Sequence, residues 1–392
     1  MTDRGIYNQR LKNLLDAVSF REPDKVPIGM EFLSWPFAYA GVRYDELIDD
    51  PQKTADYYVK FLDDIELDYT WAGGISQPYR AFEALGSKNY LLSNDGITVQ
   101  HAQSEHQYMT VSDYDEMIKD PDKFRNETLP KKRIPAFRKP RQEAYEMLKK
   151  AATYTVPFIQ ANKIIEEEIF GKRQVVKIIT GDSLRFPSPF DNLFDMFRGI
   201  KNSLIDIRKI PGKVKDACDA IYECDMAKLK SNPQDYINKP FPFGMSVYHA
   251  APYLSLAQFD DFFWHYFIKS FKPYAEAGVK IFLKGEGKFL SKVHKYRELP
   301  KGTMVMMLEE DDPFEMHKEI GDWATLATGI QTTLLKYGKK QECIDYVKKC
   351  FDTFAPGGGF IFMPERPLLG ANDVNIENTV AVWEFANEYA KQ

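Results

Sequence analysis

Eight short apolar runs, nearly all separated by helix-prone segments, predict an α/β chain folded as a single (β/α)8 TIM barrel. Two of those runs sharpen the expectation. Val279 to Leu283 ends in Lys284 and Glu286, and Thr303 to Leu308 ends in Glu309, Glu310, Asp311 and Asp312. An apolar run of about five or six residues bounded by glycine and charge suits a parallel strand covered by helices, with chemistry at its C-terminal end. A doubly wound sheet would place a glycine-rich turn after its first strand, and none follows Phe32. One barrel domain with an insertion at about 88–140 accounts for all 392 residues.

Composition narrows the partners. A chain that is 44 % hydrophobic and 28 % charged, with a net charge of −5, has the balance of a globular protein and no electrostatic case for nucleic acid. No stretch approaches the roughly 18 apolar residues of a membrane span, and the opening MTDRGIYNQRLKNLL lacks an apolar leader core, so a cytoplasmic location is expected. Cys218, Cys224, Cys343 and Cys350 form no CxxC pair, and Cys343, Val347, Cys350 and Phe354 share a helical face, which predicts packed thiols rather than disulfides or a thiolate zinc site.

In chain order, Leu11, Leu14, Leu15 and Val18 fall at helical spacing, and Pro23 stops that helix. Val26 to Phe32 is the first strand, delivering Glu31 at its end before an aromatic loop with Trp35, Phe37 and Tyr39. Asp50 and Pro51 open a helix to about Asp64, and Leu67 to Trp71 is the second strand. Residues 89–111 alternate around Asn94-Asp95-Gly96, the chemistry of a β-hairpin. His101 and His106 in it are five apart, on opposite faces of a strand. Ser112 is expected to cap a short helix with Asp115 reciprocating. Between Pro121 and Pro140 four prolines accompany a basic cluster of Lys131, Lys132, Arg133, Arg138 and Lys139, with Arg141 just beyond, readable as a solvated face or as a docking surface. A long helix from Gln142 to about Phe170 precedes the third strand, Val175 to Thr180, which ends in Gly181, Asp182 and Ser183. Helices at Lys213 to Lys230, Leu256 to Ala277, Pro313 to Ile320 and Lys339 to Phe354 then alternate with strands at Phe243 to His249, Val279 to Leu283, Thr303 to Leu308, Ala324 to Gly329 and Gly359 to Met363. Gly357-Gly358-Gly359 precedes its strand and is read as a helix stop and tight turn.

The strand ends supply Glu31, Asp182, His249, Glu286, Glu309, Glu310, Asp311, Glu365 and Arg366. Converging carboxylates repel, so such a set needs a cation, a shared proton, or basic partners such as Lys284 and Arg366. A neutral His249 with Glu286 and Glu310 can bind Zn2+ and keep one position open for substrate. The metal-free alternative is acid/base work with one carboxyl held protonated. Aromatics at Phe32, Trp35, Trp71, Phe186, Phe190 and Phe194 can wall a pocket for a planar or methoxylated ligand.

The stretches RLKNLLDAVSFREPDKVPIGMEF, FRGIKNSLIDIRKIPGKV, GGGFIFMPE and NIENTVAVWEFANEYA resemble the uroporphyrinogen decarboxylase superfamily. That resemblance implies a (β/α)8 barrel, often a homodimer, that serves either decarboxylation or methyl transfer to corrinoid proteins. True decarboxylases carry an Arg-rich segment after the first strand, where this chain has Glu31-Phe32-Leu33-Ser34-Trp35-Pro36. Corrinoid-linked methyltransferases hold zinc with His-x-Cys and a later cysteine, where this chain has Lys284-Gly285-Glu286 and, after Met363, Glu365. The resemblance therefore implies a divergent branch in which Glu286, with His249 and a carboxylate from Glu309 to Asp311, holds a metal or a proton against an ether oxygen.

The expected activity is transfer of a methyl group from a small aromatic methyl ether to the cob(I)alamin of a separate corrinoid protein. Glu286 is the first choice of ligand or acid, supported by His249, Glu310 and Asp182. Glu31, Phe32, Trp35, Trp71, Phe186, Lys284 and Arg366 are expected to bind substrate. A metal-independent decarboxylase and a non-catalytic binding barrel are the alternatives.

Overall fold

The computed structural model describes residues 4–71, 73–101, 108–180, 183–229, 232–237 and 243–391. Its centre is a six-stranded parallel sheet in the order β10-β9-β8-β7-β6-β5. The strands are β5 (Leu184–Arg185), β6 (Phe243–Tyr248), β7 (Lys280–Gly285), β8 (Met304–Leu308), β9 (Thr325–Ile330) and β10 (Phe360–Pro364). Beside β10, Ile28 bridges to Phe362, and Gly29 bridges in parallel to Tyr69 of β1 (Tyr69–Thr70), which pairs in turn with β4 (Val176–Lys177). The expected strand succession is therefore present and parallel. The expected closed barrel is met only in part: β4 and β5 end the succession, and no ring of hydrogen bonds closes between them among the described residues.

Alternation along these strands sorts the core into layers. Tyr69, Trp71, Val176, Ile178, Phe243, Phe282, Val305, Met307, Ala327, Ile361 and Met363 form one buried cluster on the inner face. Leu14, Ala17 and Val18, at the end of the Gly5–Ala17 helix and just past it, join that cluster at the N-terminal ends of the strands. Lys280 Nζ, at the start of β7, donates to Val18 O at 3.0 Å and to Gly302 O at 2.6 Å, which fixes this plug. The outer faces pack against helices in two further clusters.

The hairpin lies where the turn chemistry placed it. β2 (Tyr90–Leu92) pairs antiparallel with β3 (Val99–His101), and Gly96 takes a φ of +71° that a side chain would strain. His101 stacks on Tyr90, with ring centroids 4.9 Å apart, and His106 lies outside the described residues. The next helix is capped two residues earlier than expected. The Thr110 amide donates to Asp113 at 2.6 Å and its hydroxyl bonds the same carboxylate, so Thr110 and Asp113 do the work expected of Ser112 and Asp115. The long helix runs Arg141–Glu166, widens into a π turn to Lys172, and packs against the Pro51–Val59 and Tyr79–Ala84 helices. Cys343 and Cys350 are buried and unbridged on the Lys340–Phe354 helix, the latter donating to Gly329 O at 3.3 Å.

Candidate functional site

Strand parity decides which side chains meet. Phe282 lies in the inner cluster, so two and four residues on, Lys284 and Glu286 rise along the same face towards the C-terminal ends of the strands. Phe243 sets the same parity for His249 just past β6, Met307 for Glu309 past β8, and Met363 for Glu365 past β10. The inner face is thus apolar for most of its depth and charged at one end.

The charges there alternate in sign. Asp195 Oδ2 lies 3.5 Å from His249 Nδ1, and His249 Nε2 lies 3.2 Å from Glu286 Oε2. Glu286 Oε1 is 3.7 Å from Lys284 Nζ, which donates to Glu31 Oε1 at 3.3 Å. Burial opposes the charge on His249, but Asp195 and Glu286 outweigh it and push its pKa up to about 10. His249 is an imidazolium at neutral pH. Burial would raise Glu286, yet His249 and Lys284 hold it below the usual carboxylate range. Burial works against Lys284 too, and the carboxylates of Glu31 and Glu286 hold it above the usual lysine range. Glu31 goes the other way: burial raises it despite Lys284, and its buried Oε2 has no hydrogen-bond partner among the described residues. Glu309 is also raised by burial, although its Oε2 accepts from the Gly287 amide at 2.8 Å.

Two residues outside the sequence reading complete the arrangement. Asp191 and Asp195 lie one turn apart in the helical stretch that begins at Pro189. Asp191 Oδ1 accepts from the backbone amides of His249 at 2.7 Å and Ala250 at 2.9 Å, so it fixes the chain where β6 ends. Burial pushes Asp191 up to about 6, and its Oδ2 has no hydrogen-bond partner among the described residues. The i, i+4 spacing of the two aspartates was the only signal available in the sequence. His249 borders two cavities. One, of about 770 Å3, is lined by Phe186, Asp191, Asp195, Met245 and Ser246 among others; the second, of about 350 Å3, by Phe194, Tyr253, Glu286, Glu309 and Glu310.

A solved structure, a methyltransferase from Methanosarcina mazei, matches this chain with a TM-score of 0.53 at 16 % identity, over 97 % of this chain and 98 % of that one. The two share a fold. At that identity the likeness extends no further. No protein-family model matches the chain, and no curated protein does.

Several expected site residues are placed elsewhere. Phe32 and Trp35 are fully buried on the outer side, where both meet Phe61 edge-on at 4.7 and 5.5 Å, because Phe32 has the opposite parity to Glu31. They are core and line neither cavity. Trp71 packs edge-on against Phe282, in the layer beneath the charged cluster. Phe186 does line the larger cavity, braced by Phe271 and Tyr274. Arg366 approaches Glu365 at 3.4 Å and Glu309 at 3.9 Å, at the edge of the group. Asp182 lies outside the described residues. Among the described residues, Asp311 and Asp312 are spent on backbone amides, at Phe289 and Leu290 and at Phe314 and Glu315.

Of the expected zinc ligands, His249 and Glu286 meet at 3.2 Å, and Glu310 lies apart from that pair. No group of three His, Cys, Asp or Glu side chains among the described residues is disposed to hold a metal ion. Each nitrogen of His249 faces a carboxylate, Nδ1 that of Asp195 and Nε2 that of Glu286. Glu310 is exposed on the rim of the smaller cavity. In the His249–Glu286 pair the proton sits on His249 and Glu286 is a carboxylate.

Proposed function

We propose that this chain is a methyltransferase of the uroporphyrinogen decarboxylase superfamily, a closed barrel that moves a methyl group from a small aromatic methyl ether to the cob(I)alamin of a separate corrinoid protein. The observation that carries the reading is the imidazolium of His249, held between Asp195 and Glu286 where two cavities meet. The fold shared with a methyltransferase supports it.

An ether oxygen is a poor leaving group unless it is protonated as the carbon–oxygen bond breaks. The corrinoid, presented by its carrier protein, supplies the nucleophile. His249 gives its proton to the ether oxygen, which keeps the electron pair of the broken bond and departs as a neutral phenol. A pKa of about 10 suits that task. A phenol has a pKa of about 10 as well, so proton transfer is nearly thermoneutral when cleavage is complete. Asp195 and Glu286 fix the ring and keep it charged until then. Phe186 and Met245 give the larger cavity an apolar wall for the arene. Decarboxylation fits less well, because Lys284 and His249, cations that could hold a substrate carboxylate beside the cluster, are already paired with carboxylates.

The test is methyl transfer from methoxybenzenes to cob(I)alamin under reducing, anaerobic conditions, followed by the change in the corrinoid spectrum. His249→Gln should lower the rate about 10²- to 10⁴-fold, the range for loss of a general acid. A variant within twofold of the parent would remove His249 from the chemistry. Release of CO2 from a carboxylated substrate without corrinoid would replace the reading with a decarboxylase.

A further inference from the structure

Pairing of charges in the larger cavity leaves one residue over. Asp225 is paired with Arg125, Lys228 with Asp122 and Asp195 with His249, and Asp191 accepts from two backbone amides. Arg185 lines the same cavity, and its guanidinium has neither an ion pair nor a hydrogen bond among the described residues. Its place in the sheet sets it apart from an ordinary solvated arginine. Arg185 of β5 is in register with Met245 of β6, Met245 with Phe282 of β7, and Phe282 with Val305 of β8. Residues in register share a face, and the rest of this row belongs to the apolar inner layer. Arg185 is thus an inward-facing cation at the edge of an apolar row, exposed beside the cavity.

Met245 and Val247, half-buried on that face, line the cavity between Arg185 and His249. From Met245 to His249 is about 13 Å of extended strand. The cavity therefore offers a cation at one end, an apolar wall along its length and the imidazolium of His249 at the other.

We infer that Arg185 binds a carboxylate on the aromatic ring of the methyl donor, which makes the substrate class the methoxybenzoates. The methoxyl group in that inference rests on the methyltransferase reading; the carboxylate rests on the cavity alone. His249 and Lys284 are held by carboxylates of the protein, whereas Arg185 is free to make the two parallel N–H···O bonds of an arginine–carboxylate pair. With the carboxylate there, the ring lies along Met245 and Val247 and the methoxyl group is directed to His249. The carboxylate sits at the far end of the ring from the proton donor, so it is a handle and not a leaving group.

Calorimetric titration of the full chain with 4-methoxybenzoate and with the uncharged 4-methoxybenzamide tests this without corrinoid or turnover. The acid should bind about 10- to 100-fold more tightly than the amide, the range for hydrogen bonds to a charged group. Arg185→Gln should erase that preference, and Arg185→Glu should transfer it to 4-methoxybenzylamine. Arg185 is exposed, so both variants should keep the parent's circular dichroism and melting temperature. Equal binding of acid and amide, binding of neither, or a preference that survives Arg185→Gln would overturn the inference. A preference that depends on Arg185, with no methyl transfer from the acid to cob(I)alamin, would keep the carboxylate site and refute the methyltransferase reading. Transfer from the amide as readily as from the acid would keep that reading and remove Arg185 from it.

Discussion

His249 holds its proton because two carboxylates flank it, and that makes its contribution to stability depend on pH with a definite sign. Its folded pKa of about 10 lies above the value of about 6.5 for an unperturbed histidine. The folded state therefore binds the extra proton between those values, and stability falls as pH rises. The full contribution is present below about 6.5 and lost on passing about 10. The melting temperature of the parent protein minus that of His249→Gln should shrink steadily across that window; a constant difference would show that the ring is not the imidazolium described. At this scale the sequence was informative about which residues gather and poor about their protonation. His249, Glu286, Lys284 and Glu31 could be read from the ends of apolar runs. The proton's location depends on distances of 3 to 4 Å between residues far apart in the chain, and Asp195 comes from a helix that no strand pattern would single out.

Along a strand, one step in sequence moves a side chain from one face to the other. Glu31 and Phe32 are adjacent, yet the first joins the charged cluster and the second packs under the helices against Tyr58 and Phe61. An aromatic-rich stretch gives no parity by itself, so the sequence alone suggests Phe32 and Trp35 as pocket walls, whereas both are buried and line neither cavity. The same logic makes a prediction. Phe32→Ala should cost about 3 to 5 kcal/mol of folding stability, as for a fully buried phenylalanine, while the activity per folded molecule is retained. Denaturant titration paired with turnover separates the two effects. Lost turnover at unchanged stability would put Phe32 back in the pocket. The basic cluster tells a similar story: Lys132 is paired with Asp113 and Lys139 with Glu143, so part of what could be read as a docking surface is internal ion pairing.

At the scale of the whole molecule, alternating strands and helices were legible because hydrophobic period and glycine punctuation are local properties. The split of the third strand was not. β4 pairs with β1, while β5, seven residues beyond the end of β4, pairs with β6. The choice of neighbour is made by the sheet rather than by the segment. The same global arrangement stacks a charged layer on an apolar one, and the charged layer is tolerable only because its signs alternate. Lys284 is the keystone, paired with both Glu31 and Glu286, with its side chain only 15 % exposed. Lys284→Met would leave two carboxylates facing each other in a buried space, and breaking a buried pair in this way costs about 3 to 5 kcal/mol. Glu31, already raised by burial, would then rise further, whereas Glu286 keeps the His249 imidazolium beside it. A folded pKa raised in this way penalises the native state at neutral pH, and the penalty fades as pH falls and Glu31 takes up its proton. The deficit of Lys284→Met against the parent should therefore be largest near pH 7 and narrow towards pH 4 in thermal melts. A deficit that grew in acid would mean that Lys284 stabilises the fold through its alkyl chain rather than through its charge.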